Sequence, residues 1–143
     1  MKKNNALRGF TLIELLVVIA IIAILATVVF VALDPVKRFS DARNARRWSD
    51  VNSLLTAVHE YVVDNGGSLP TGLTSGQAAT ELGTCATCDD LSTPLAPYLK
   101  SIPLDPSGGT AVNAGYTVEV DSNNIVTVAA PDAENSVAVQ VSR

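Results

Sequence analysis

Residue types on which catalysis and ligation depend are scarce in these 143 residues. There is one histidine, His59, and there are two cysteines, Cys85 and Cys88. A tetrahedral zinc site needs four ligands, so this supply argues against one built within a single chain. There is also no serine elbow, phosphate-binding glycine loop or metal-ligand cluster, and scattered carboxylates alone give enzyme activity no support. The sequence calls for no cofactor, and His59 reads as a flank of a helical stripe. A further absence is local. Between Leu15 and Leu33 there is no charge, no glycine and no proline.

That uncharged run is flanked by "RGFTLIE" at residues 8–14, and 48% of the whole chain is apolar against 17% charged. Nineteen helical residues at ~1.5 Å each span ~28 Å, close to the thickness of a hydrocarbon core. The run is therefore expected to cross a membrane once, leaving roughly a hundred residues for a modest head. Lys2, Lys3 and Arg8 could serve as the basic region of a cleaved secretory signal, with a cut near Ala26 or Thr27. The run is longer than the usual signal core, however, and amphipathic helix follows it instead of an extended cleavage region. A plain signal anchor would have no use for Glu14. An acid near lipid is costly and is by default a functional candidate in need of a partner.

The stretch "RGFTLIELLVVIAIIAILA" resembles the N-terminal processing and methylation segment of type IV pilins and type II secretion pseudopilins. The resemblance is specific over residues 8–33 and weaker beyond. It implies cleavage by a prepilin peptidase between Gly9 and Phe10, N-methylation of the new Phe10 amine, and polymerisation through the apolar helix. Gly9 suits an extended backbone in a protease site. Glu14 lies four residues after Phe10, so a helix places carboxylate and amine on one face. In stacked subunits each Glu14 is expected to receive the Phe10 amine of a neighbour and so set register. The plainer alternative is an acid resting in the headgroup zone. Members of this family commonly carry a glycine at the position of Ala23 and a proline at that of Val31. Both are missing, which puts local helix melting in doubt or displaces it towards Pro35.

After Leu33, Asp34-Pro35 is a helix-start signature, and a kink or brief break is expected there. Apolar residues then recur at Trp48, Val51, Leu55, Val58 and Val62, a stripe that must pack on the head. Gly66 and Gly67 end the helix. Charge is segregated: Lys37, Arg38, Arg43, Arg46 and Arg47 stand against Asp41, whereas from Trp48 onward two cations face eleven acids, a formal charge of −9. A basic helix beside Phe39 and Trp48 could bind nucleic acid. The favoured reading is that the belt faces acidic heads of neighbouring subunits or anionic lipid headgroups.

Residues 66–113 read as loops. The Cys85–Cys88 spacing fits a redox pair, half a zinc site or a small structural disulfide. No thioredoxin-like pattern surrounds it, and outside the cytoplasm a small disulfide loop is the expectation. Beyond it, period-two alternation at Tyr116, Val118, Val120, then Val126, Val128, Ala130, then Val137, Val139, Val141 predicts a three-stranded antiparallel meander, with turns at 121–124 and 131–136. "YLKSIPLDP" is similar to the major pseudopilin pattern. Those pseudopilins bind calcium through an acid-rich ending that is absent here, so Asp121, Asp132 and Glu134 are taken as turn and solubility residues.

The expected fold is α+β, a pilin-like lollipop. Residues 1–9 are leader, 10–33 the transmembrane and polymerisation helix, 34–65 its amphipathic half, 66–113 the loop region with the two cysteines, and 114–143 the meander on which that helix packs. The expected role is a structural subunit of a type IV pilus-like filament, with a type II secretion pseudopilin or a monomeric membrane-anchored binding module as alternatives. Expected partners are copies of itself, the prepilin peptidase, an assembly platform and the cytoplasmic membrane. Nucleic acid is not among them.

Overall fold

A computed structural model describes residues 9–143; Lys2, Lys3, Arg8 and most of the expected leader lie outside the described residues. The chain forms two compact units, divided after Arg38.

The first unit holds α1, Leu12–Leu33, a helix of 22 residues. With no Gly or Pro inside it nothing interrupts the backbone ladder, and Thr27 turns its hydroxyl back to the Ala23 carbonyl at 2.9 Å. None of α1 is buried, so it shows apolar side chains on every face, Ile13 to Leu33 alike. A helix that is apolar all round belongs inside something else, a bilayer or a bundle of other helices. The chain breaks at Asp34, which sits in the left-handed region at φ 38°. The Asp34 carboxylate accepts the Lys37 N–H at 3.3 Å, starting α2 (Pro35–Asp64) with proline at its first position.

The second unit begins within α2 at Phe39. One face of this helix is buried through Val51, Leu54, Leu55, Ala57 and Val58. Trp48, expected on that stripe, is instead 39% exposed. The buried face continues toward the N-terminus through Arg47, Asn44 and Ser40, polar residues that an apolar-periodicity argument passes over. Gly67 N–H closes on the Val62 carbonyl at 2.8 Å, and Gly66 and Gly67 adopt φ 63° and 92°, so the helix ends where glycine relieves left-handed backbone.

The core face of α2 meets a sheet of β1 (Gln77–Glu81), β2 (Thr117–Val120), β3 (Val126–Ala130) and β4 (Val139–Ser142), antiparallel throughout and in sequence order. The expected three-stranded meander gains a fourth strand. β1 lies in the stretch read as loop because "QAATE" has one β-branched residue and a broken alternation, and its pairing with β2 shifts register between Gln77 and Thr80. β4 starts at Val139, and Val137 stays outside it, 41% exposed. Val118, Val120, Val126, Val128, Ala130 and Val139 point into the core, where Leu82, Leu91, Leu95 and Tyr116 complete it. Each fully buried Leu or Val there is worth roughly 1.5–3 kcal/mol relative to exposure. In the β2–β3 turn the Asp121 carboxylate accepts the N–H groups of Asn123 (2.7 Å) and Ile125 (2.8 Å), as a turn aspartate should.

Candidate functional site

Gly9 and Phe10 precede the first helical turn. Both are exposed, and a side chain at Gly9 would meet nothing within 4 Å among the described residues. Thr11 caps α1 from an extended conformation. Its N–H and hydroxyl donate to Glu14 Oε2 at 2.8 and 2.7 Å, while the Glu14 N–H donates to Thr11 Oγ1 at 3.3 Å. This is a reciprocal capping box, in which two otherwise orphaned donors at the helix start are satisfied. The signal Thr-x-x-Glu was present in the sequence, so Thr11 was findable. Reading Glu14 only against Phe10 overlooks it. Phe10, Ile13, Val17 and Val18 wall an open groove of about 360 Å³ around Glu14, so the carboxylate stands on an otherwise oily surface.

Cys85 and Cys88 lie in the second unit, joined in a disulfide with Cα atoms 5.0 Å apart. The Thr84 and Cys85 N–H groups donate to the carbonyls of Ala111 and Val112, both at 3.1 Å, which ties the small loop to the segment before β2. His59 is half-buried on α2, and its Nε2 has no hydrogen-bond partner among the described residues. No group of three or more His, Cys, Asp or Glu among the described residues is placed to hold a metal.

The second unit also contains a buried ionic cluster. Arg47, fully buried, donates from Nε to Asp105 Oδ2 at 2.5 Å and from Nη2 to Oδ1 at 3.0 Å, a two-pronged pairing. Its remaining donors reach Asn44 Oδ1 at 2.9 Å, Ser107 Oγ at 2.7 Å and Glu134 Oε1 at 3.4 Å. Arg43 grips Glu134 with Nε and Nη2, each at 2.6 Å. Asn44 brackets the Glu134 backbone, donating to its carbonyl at 2.8 Å and accepting its N–H at 2.9 Å. Gly115 at φ 82° makes room, since a side chain there would come within 2.6 Å of Asp105 Cβ.

Thus one turn of α2 locks two loops, 105–107 and 131–136, because Arg43 and Asn44 stand four and three residues before Arg47 and so share its face of the helix. Burial pushes the Asp105 carboxyl up, but the Arg47 guanidinium and the Ser107 N–H outweigh it and hold it below its ordinary value. Hydrogen bonds from Arg43, then Ser40, hold Glu134 far below the carboxylate range. Burial, reinforced by its bond to Asp50 at 2.7 Å, raises the Tyr116 hydroxyl well above the ordinary tyrosine value. Two expectations change here. Glu134 is an ion-pair residue and not a solubility residue, and Arg43 and Arg47 of the basic belt are neutralised within their own head. Arg46 also faces Asp50 at 3.6 Å. The sequence signal was present as opposite charges on α2 and in the later loops, but only the fold brings positions 87 and 91 residues apart together.

Residues 4–30 match the family model of the prokaryotic N-terminal methylation motif, the prepilin-type cleavage segment of type IV pilins and pseudopilins. No curated protein and no solved structure matches the chain. The motif marks structural proteins and not enzymes, and it implies processing by a prepilin peptidase and partnership with a filament or its assembly machinery in general. On an apolar helix it points to membrane anchoring. α1 is the one helix among the described residues whose length and composition would suit a membrane crossing.

Proposed function

We propose that the chain is the structural subunit of a type IV pilus-like filament, anchored in the cytoplasmic membrane by residues 10–33, cut between Gly9 and Phe10, N-methylated at Phe10 and polymerised through α1. The observation that carries this reading is α1 itself. It opens with Gly-Phe-Thr-Leu-Ile-Glu inside the matched segment, and none of its residues is buried among the described residues. Such a surface suits a bilayer before assembly and the packed helices of a filament afterwards, because both remove apolar area from water.

Within that filament Glu14 pairs with the Phe10 amine of a neighbour, and the capping box keeps its carboxylate at the helix start. No catalytic activity and no cofactor are assigned. Residues 98–106, similar to the major pseudopilin pattern, support the second reading, a pseudopilin of a type II secretion system. Neighbouring genes for a secretin or a retraction ATPase separate the two. The test is N-terminal sequencing and intact mass of protein from sheared surface filaments. A chain beginning at methylated Phe10 is expected. A start near Ala26 or Thr27, or a chain found only as a monomer in the membrane, would sink the filament reading.

A further inference from the structure

Five cations follow the apolar helix, and the structure sorts them. Arg43, Arg47 and Arg46 face Glu134, Asp105 and Asp50. Lys37 and Arg38 are exposed, and among the described residues neither pairs with a carboxylate. Arg38 is nevertheless held in place. Its Nε donates at 3.0 Å to the carbonyl of Leu33, the last residue of α1, and its backbone N–H to the carbonyl of Asp34 at 3.2 Å. The side chain therefore satisfies a carbonyl left open by the end of the apolar helix. It holds the guanidinium at that end, and its two terminal nitrogens have no hydrogen bond among the described residues.

The position has a definite depth. The 22 residues of α1 extend ~33 Å at ~1.5 Å each, against a hydrocarbon core of ~30 Å. When α1 spans, Leu33 lies at the boundary of the hydrocarbon, and a guanidinium bonded to its carbonyl lies among the headgroups. Arginine presents paired N–H groups that match two phosphate oxygens, and Lys37 adds a compact charge beside it. Asp34, whose carboxylate accepts the Lys37 N–H, offsets one of the two charges.

We infer that Lys37 and Arg38 form a headgroup site for an anionic phospholipid at the end of the apolar span. The site rests on the membrane anchoring alone and not on filament formation. Two cations less one acid leave about one net charge near the surface, a roughly fivefold preference for an anionic over a zwitterionic lipid.

The experiment uses the full chain reconstituted in phosphatidylcholine bilayers containing spin-labelled phosphatidylglycerol or spin-labelled phosphatidylcholine. The motionally restricted fraction of each lipid gives their relative association. Phosphatidylglycerol should be favoured, less at high salt, and the preference should fall by about fivefold or more in Lys37→Gln/Arg38→Gln while helix content and incorporation stay unchanged. Equal association of both lipids with the wild type, or an undiminished preference in the double variant, overturns the site. Displacement of the labelled lipid by excess inorganic phosphate overturns the lipid as its occupant. Loss of cross-linked dimers in the double variant with lipid preference intact assigns these cations to a second copy and also overturns it. A chain that does not enter the bilayer overturns the anchoring and the site together.

Discussion

Arg47→Met is the most informative perturbation of the head. It keeps an unbranched apolar stem in the space of the arginine stem but deletes the charge and every guanidinium donor. Asp105, 5% exposed, would then keep the Ser107 N–H at 2.8 Å and lose both bonds from Arg47. Removing one partner of a buried pair strands the other charge, at a typical cost of about 3–5 kcal/mol. That is a large part of the ~5–15 kcal/mol by which a domain is stable.

Urea unfolding of the detergent-solubilised full chain, followed by Trp48 fluorescence, would measure it. With a slope of about 1.5 kcal/mol/M the midpoint should fall by roughly 2–3 M. Arg47→Met/Asp105→Leu should recover most of the loss, because apolar groups replacing a whole buried pair are often neutral or better. A single variant within about 0.5 M of wild type, or a double variant less stable than the single, would show that this pairing does not hold the two loops to α2.

Glu14→Ala should enter the membrane at least as well as wild type and still be processed, because Gly9 is intact, yet give no filaments in sheared surface fractions; Glu14→Gln should be intermediate. Normal filaments from Glu14→Ala would reduce the acid to a passenger of the headgroup zone. Cys85 and Cys88 should resist thiol labelling in protein purified without reductant, and Cys85→Ser should leave the head folded but about 2 kcal/mol less stable, as expected for so short a loop; free thiols in the native protein would contradict this.

The head should also weaken in acid. Asp105 and Glu134 have depressed carboxyls, so their contribution is full above the unfolded values, about 3.9 and 4.3, and is lost as pH falls toward the lower folded values. Asp89, raised by burial, acts in the opposite sense. The urea midpoint should be flat from about pH 7 to 5 and then drop, with a shallower drop in Arg47→Met; a midpoint rising below pH 4 would refute the assignment.

Legibility followed the range of the interactions. The motif at residues 8–14, the uncharged run, the break at Asp34-Pro35, the glycine stop at 66–67 and the alternation of β2 and β3 are local signals, each set by a few adjacent residues. β1 was not legible, because "QAATE" becomes a strand only when β2 offers its edge, and pairing overrides weak intrinsic propensity. The polar half of the α2 stripe was missed for a related reason. Ser40, Asn44 and Arg47 carry no hydrophobic signal, and their burial is tolerable only where partners close around them.

The sequence by itself determined the apolar helix, its processing motif and the acid four residues after Phe10, because length, hydropathy and spacing are properties of one continuous segment. The tertiary structure alone decided which charges meet. A salt bridge depends on distances of a few ångströms between residues that stand far apart in the chain, so the same five cations that read as one outward belt divide into three turned to acids of their own head and two left at the end of α1.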